Sequence, residues 1–218
     1  MINKKDVSDS AFVLIQYTPC DIDDSLQVLQ TAMLSGIDGF KLYVKPAKDG
    51  VCVVTHGLKI LPCRDELQDE AQVETMSYLP LVDVLELPLT VVNIELMGEH
   101  GWKQALAAVE ASGALSRVIF SSFEHSEVLQ LWSACHEARC GLSWEDNEAM
   151  DLTHETLSDL PTELKIVISL KAAGERRDFW EQYRSRLVVC GASSLVEANL
   201  LGFRPFVLVI GEPLLSPC

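Results

Sequence analysis

The sequence predicts an α/β fold, a (β/α)8 TIM barrel, on three observations. Nine short, apolar, β-branched runs recur along 218 residues, helical stretches separate most of them, and capping serines stand just after strands. Runs that are apolar throughout are what strands buried on both faces require, and strand alternating with helix implies a parallel sheet. This many units is the count of a barrel near the lower end of its size range.

The elements follow in order. Residues 12–16 (FVLIQ) form the first strand, and residues 25–34 (SLQVLQTAML) a helix with Asp24-Ser25 at its start. Residues 39–44 and 51–55 are two strands joined through 45–50, which is too short for a crossover helix. A hairpin-like excursion at the barrel rim is therefore expected, and it absorbs the ninth run. Residues 58–79 have no clear period and are acidic around Glu66 to Glu74; they read as a loop with a helical turn. A helix over 81–87 then leads to a strand over 91–96, and a helix over 102–112 to a strand over 117–121. Ser121 and Ser122 precede a helix over 126–138, followed by strands over 141–144 and 165–170. A helix over 177–186 leads to a strand over 187–190; Ser193-Ser194 opens the last helix, 194–201, before a final strand over 205–210. Caps that follow strands lie on the C-terminal face, where barrel active sites are built.

Composition sets further bounds. At 48% hydrophobic residues the chain makes one well-packed domain, 1–218. No apolar run approaches the roughly 18 to 20 residues of a membrane span, and the first residues lack a signal-peptide core, so a cytoplasmic location is expected. The seven cysteines include no C-x-x-C pair and read as reduced core thiols; no His/Cys cluster has zinc-ligand spacing. A formal net charge of -15 opposes nucleic acid, which is bound by clustered Lys and Arg, and weakly repels an anionic phosphodiester.

The stretch from Gly36 to Gly57, GIDGFKLYVKPAKDGVCVVTHG, carries the most information. Its spacing resembles the glycerophosphodiester phosphodiesterase family, whose pattern is G-A-D-x-x-E-x-D-V, then K-D-G, then V-V-x-H-D. Further along, Pro80 to Leu85 resembles that family's P-T-L-x-x-V/L, Asn93-Ile94-Glu95-Leu96-Met97 its I-E-L-K strand, and Ser121-Ser122-Phe123 its S-S-F. Ile22 to Ser25 stands for P-E-N-T, while Val188 to Gly191 and Ile210 to Pro213 are eroded forms of W-T-V-N and T-D-x-P. The resemblance implies a barrel of PLC-like phosphodiesterase type with a reduced cap insertion after His56.

It also implies that most of the family's chemistry is gone. Two His are its acid/base catalysts; His56 stands at one position and Gln16 at the other, and an amide does not exchange a proton. The family's phosphate-binding Arg is Tyr17, a phenol with a pKa of about 10 and no cationic charge. Of three acids that hold a divalent cation only Glu95 remains, because Lys41 and Tyr43 replace the other two. Lys41 is expected to stand in for the cation and pair with Glu95, since an acid inside an apolar strand is costly unless paired.

The leading reading is a non-catalytic homologue that binds a small phosphorylated ligand or a protein partner, with no cofactor. Its ligand-binding candidates are Gln16, Tyr17, Lys41, Tyr43, Glu145, Lys171, Ser193 and Glu212, all at strand ends or helix starts. Lys171 would restore the cation lost at Met97, and residues 191–194 are placed like a barrel phosphate site. The alternative is a divergent phosphoric diester hydrolase acting on glycerophosphodiesters in lipid metabolism, with His56 as acid/base and Mg²⁺ or Ca²⁺ on Glu95 plus a recruited carboxylate. A pure interaction module, without a ligand in the mouth, is a third.

Overall fold

Ten strands form one sheet that closes on itself in the computed structural model, which describes residues 12–17, 25–34, 36–47, 50–55, 79–98 and 100–211. They are β1 (Phe12–Gln16), β2 (Gly39–Pro46), β3 (Cys52–Thr55), β4 (Leu79–Pro80), β5 (Val91–Leu96), β6 (Val118–Ser122), β7 (Arg139–Ser143), β8 (Lys165–Ser169), β9 (Leu187–Ala192) and β10 (Val207–Ile210). Eight of them run parallel round a ring in the order β1, β2, β5, β6, β7, β8, β9, β10, and β10 pairs back onto β1. This is the predicted (β/α)8 barrel.

The expected hairpin is present and explains why β2 is the longest strand. Its first residues close the barrel, Gly39 against Leu14 and Lys41 against Gln16. Its last ones run past that pairing and take β3 antiparallel on the same edge, Tyr43 against Thr55 and Pro46 against Cys52. Gly50, with φ at 84°, supplies the left-handed turn, and the Val51 carbonyl accepts from the Ala47 N–H at 2.8 Å. β4 extends this ribbon by two residues, which the sequence reading did not anticipate. The cap insertion expected over 58–79 lies outside the described residues except for Leu79.

Strand alternation separates two cores. Inside the barrel Leu14, Val91, Ile119, Val167, Val188, Val207 and Val209 share one face and pack together. On the other face, Phe40, Leu42, Ile94, Phe120 and Leu142 meet helix residues such as Leu29, Leu81 and Leu131, while Ile166, Ile168, Val189 and Ile210 meet Leu157 and Trp180. These two faces account for strands that are apolar at nearly every position.

The described helices are α1 (Ser25–Leu34), α2 (Leu81–Leu85), α3 (Trp102–Ala111), α4 (His125–Ala134), α5 (Asp146–Asp151), α6 (His154–Ser158), α7 (Leu170–Glu175), α8 (Arg177–Glu181) and α9 (Leu195–Asn199). Three of them, α5, α6 and α7, escape the sequence reading because about one and a half turns cannot show a 3.6-residue period. Their caps are nevertheless legible: a Glu145/Glu148 capping box, Thr153 accepting from the Thr156 N–H, and Ser169 accepting from the Ala172 N–H. The helix expected over 126–138 stops at Ala134, where Cys135 turns extended. Three arginines tie loop ends together through backbone carbonyls. Arg176 donates to Ala149, Met150 and Leu152, Arg117 to Leu85, Leu87 and Leu89, and Arg186 to Pro161 and Leu164.

Barrel closure is tight at Gly39, where a methyl group would run into the Val91 carbonyl of the neighbouring strand. Gly39→Ala is expected to destabilise by about 4 kcal/mol, far above an ordinary point substitution, as urea unfolding will show. Burial pushes the Cys52 thiol up to about 11 and, with Cys135 nearby, the Cys140 thiol up to about 12, from 9.0. Above pH 9 the unfolded chain therefore releases thiol protons that the folded chain keeps, and stability falls as pH rises. Thermal melts between pH 8 and 11 should show this decline, with a shallower slope for Cys140→Ala.

Candidate functional site

Going from the N-terminal to the C-terminal half of the barrel interior, the apolar layer gives way to a polar one. Lys41 from β2, Asn93 and Glu95 from β5, Ser121 from β6 and Ser143 from β7 are all buried there, and Cys190 of β9 reaches the same group. Period-two alternation puts Lys41 and Tyr43, and likewise Asn93 and Glu95, on one face of their strands. Register then sets Lys41 beside Asn93, Tyr43 beside Glu95, and Glu95 beside Ser121.

The centre of the group is an ion pair. Lys41 Nζ lies 3.0 Å from Glu95 Oε2, with side chains 4% and 0% exposed, so the pairing expected from the sequence is formed in the barrel interior. Ser121 donates its hydroxyl to Glu95 Oε2 at 2.8 Å, and Ser143 donates to Oε1 at 2.9 Å with Oε2 at 3.1 Å. Asn93 Nδ2 in turn donates to Ser121 Oγ at 2.8 Å and to the Ile119 carbonyl at 3.1 Å. Two withdrawn charges are tolerable only when paired and hydrogen-bonded in this way. Asn93 Oδ1 finds no hydrogen-bond partner among the described residues.

Lys41 also donates to Cys190 Sγ at 3.5 Å and lies 5.6 Å from the centre of the Tyr43 ring. Burial alone would lower the Lys41 pKa, but Cys190, Glu95 and Tyr43 outweigh it and hold the ammonium above its ordinary value. Burial pushes the Cys190 thiol up, only partly offset by Lys41, so near neutrality a neutral thiol accepts from a full ammonium.

This donor set does not fit a divalent cation. Mg²⁺ and Ca²⁺ take six or more oxygen ligands at about 2.0–2.6 Å. Here the one central carboxylate is filled by two hydroxyls and an ammonium, and the ammonium adds a positive charge at the place a cation would need. Among the described residues no three His, Cys, Asp or Glu side chains come together as a metal site.

The other sequence candidates scatter. Gln16 is half-buried at the end of β1, in register with Lys41. Tyr17, one residue later, belongs to the cluster between sheet and helices, edge-on to Phe40 at 6.2 Å, and its backbone N–H donates to the Lys41 carbonyl at 3.0 Å. Glu145 is exposed and caps α5. Lys171, expected to restore the lost cation, has a side chain 67% exposed and 3.4 Å from Asp146 Oδ2. Ser193 is exposed, and both its N–H and its hydroxyl donate to Glu197 Oε2 at 2.6 Å. The turn that resembled a phosphate site thus holds a carboxylate of its own helix, whose pKa those bonds lower. His56 and Glu212 lie outside the described residues. Sequence reasoning missed Asn93, Ser143 and Cys190; only Asn93, two residues before Glu95 in an apolar strand, carried a signal that could have found it.

No protein-family model and no curated protein sequence matches the chain. Solved structures do. A phosphodiesterase from Oleispira antarctica, in complex with its product sn-glycerol-3-phosphate, is 14% identical, with a TM-score of 0.68 over 93% of each chain. A glycerophosphodiester phosphodiesterase from Parabacteroides distasonis is 12% identical, with a TM-score of 0.67 over 93% of this chain and 94% of its own. One from Agrobacterium tumefaciens is 16% identical, with a TM-score of 0.63 over 92% and 94%. The chain shares the fold of these proteins over nearly its whole length.

The cluster predicts a non-additive response. Lys41→Met strands a buried carboxylate and should cost about 3–5 kcal/mol in urea unfolding. Lys41→Met combined with Glu95→Leu removes both charges and should recover most of that loss; a double mutant less stable than Lys41→Met would contradict the assignment.

Proposed function

We propose that this chain is a glycerophosphodiester phosphodiesterase-like barrel that does not carry out metal-dependent hydrolysis and works by binding. The observation behind this reading is the buried Lys41–Glu95 pair. Hydrolysis of a phosphodiester needs a held cation, a base for the nucleophile and an acid for the leaving alkoxide. Glu95 is committed to Lys41, Ser121 and Ser143, Lys41 keeps its proton, and Gln16 cannot exchange one.

The ligand favoured by the fold is a small phosphorylated molecule, since one structure of this fold holds sn-glycerol-3-phosphate. Gln16, Lys41 and Tyr43 are the candidates that support it. A protein partner is the other occupant that fits a barrel without chemistry. The four described cysteines are free thiols, which agrees with a cytoplasmic setting, and no described helix is long and apolar enough to cross a membrane.

Incubation with glycerophosphocholine and Mg²⁺ or Ca²⁺ tests the reading. No metal-dependent turnover is expected, and thermal melts should rise with sn-glycerol-3-phosphate but not with either cation. Turnover abolished by His56→Ala would establish the divergent diester hydrolase instead. Stabilisation by neither phosphate nor cation would direct the search to a protein partner.

A further inference from the structure

At the N-terminal end of the barrel, opposite the mouth, three neighbouring strands begin with a cation. Arg139 opens β7, Lys165 opens β8, and Arg186 stands just before β9, its carbonyl accepting from the Ile166 N–H at 2.9 Å. Each lies an even number of residues from an inward side chain, Arg139 from Ser143, Lys165 from Val167 and Arg186 from Val188, so alternation puts all three on the inward side of this rim. Phe12 and Phe206, edge-on at 5.7 Å, close the apolar interior here, and Lys165 Nζ lies 4.1 Å from the centre of the Phe206 ring.

These charges are not balanced. Lys165 donates to the Ser185 carbonyl at 3.2 Å, and Arg186 to the Leu164 and Pro161 carbonyls at 2.9 Å each. Glu163 acts on Arg186, but among the described residues no carboxylate pairs with Lys165 or Arg139, and the half-buried Lys165 is otherwise left to a carbonyl and a ring. Burial, and then Arg139 and Arg186, hold the Lys165 ammonium below its ordinary pKa. In a chain with 32 acids and 17 cations, mutual repulsion among three adjacent cations is a cost that a bound anion removes.

We propose that this rim is a non-catalytic binding site for a small multivalent anion of the diphosphate class, held by Arg139, Lys165 and Arg186. Adjacent strands lie about 4.8 Å apart, so the outer two cations start about 10 Å apart, a span that suits two linked phosphoryl groups better than one. The Arg139 fork offers paired N–H donors to one phosphoryl group, Lys165 stands between the two, and Arg186 gives the N–H groups that its carbonyl bonds leave over. The aromatic floor keeps water from one side and strengthens the attraction. Barrel chemistry is built at the opposite end, so occupancy here changes stability and the protonation of Lys165 rather than turnover.

Calorimetric titration of the full-length protein with sodium pyrophosphate in low-salt buffer tests this. Saturable binding is expected, weakened by added salt, by about tenfold or more in Arg139→Gln and further in Lys165→Gln. Lys103→Gln, which removes the same charge from α3, should leave it unchanged. A second readout needs no variant: acetylation by an N-hydroxysuccinimide ester, followed by peptide mass spectrometry, should slow at Lys165 but not at Lys103 when pyrophosphate is present, because a bound anion covers the amine and favours its protonated form. Absence of binding overturns the proposal, as does binding that Arg139→Gln leaves intact, an equal loss in Lys103→Gln, or Lys165 acetylation that pyrophosphate does not slow. Inorganic phosphate bound as tightly as pyrophosphate overturns the diphosphate assignment.

Discussion

A charge withdrawn from water into a barrel interior costs several kcal/mol unless an opposite charge and hydrogen bonds replace the lost solvent. Glu95 imposes that condition here. Its place on β5 is on the inward face, completely buried, and the side chains around it read as the answer: Lys41 for the charge, Ser121 and Ser143 for the remaining lone pairs. Asn93 then holds Ser121, and Cys190 accepts from Lys41. Below this layer the interior is filled by Leu14, Val91, Ile119 and the valines of β8, β9 and β10, which need no such partners.

The same arrangement limits what the mouth can do. A carboxylate that already accepts from two hydroxyls and has an ammonium 3.0 Å away is a poor metal ligand, and an ammonium held above its ordinary pKa is no base. Three arginines and Lys171 are engaged elsewhere among the described residues. Arg117, Arg176 and Arg186 donate to backbone carbonyls, and Lys171 lies out in solvent beside Asp146. At the late helix start, Glu197 already takes the donors that an anionic ligand would use. A chain with the fold of phosphodiesterases thus neutralises Glu95 from within.

Much of the architecture was legible because strands buried on both faces leave an unbroken apolar signal. The run at residues 91–96 and the short connection after β2 translated directly into a strand and an antiparallel excursion. Helices α5, α6 and α7 were not legible because one and a half turns carry no period, only caps. In the site, Lys41 and Glu95 stood out as charges inside apolar runs, whereas Ser143 looks like any strand-end serine and Cys190 like any core thiol. Tyr17 shows the converse: one step beyond Gln16 turns its side chain to the opposite face, so closeness to a strand end did not place it in the mouth.

By itself, then, the sequence determined the order of the strands and most helices, and the presence of one acid and one lysine at positions that only a partner could make tolerable. What the tertiary structure alone decided is which side chains share the interior. That depends on the pairing of β2 with β1 and the closure of the ring through β10 and β9, which brings Lys41 to Cys190 across 149 residues of chain. Local sequence carries no record of that closure, because register and strand face are properties of pairs of strands rather than of either one.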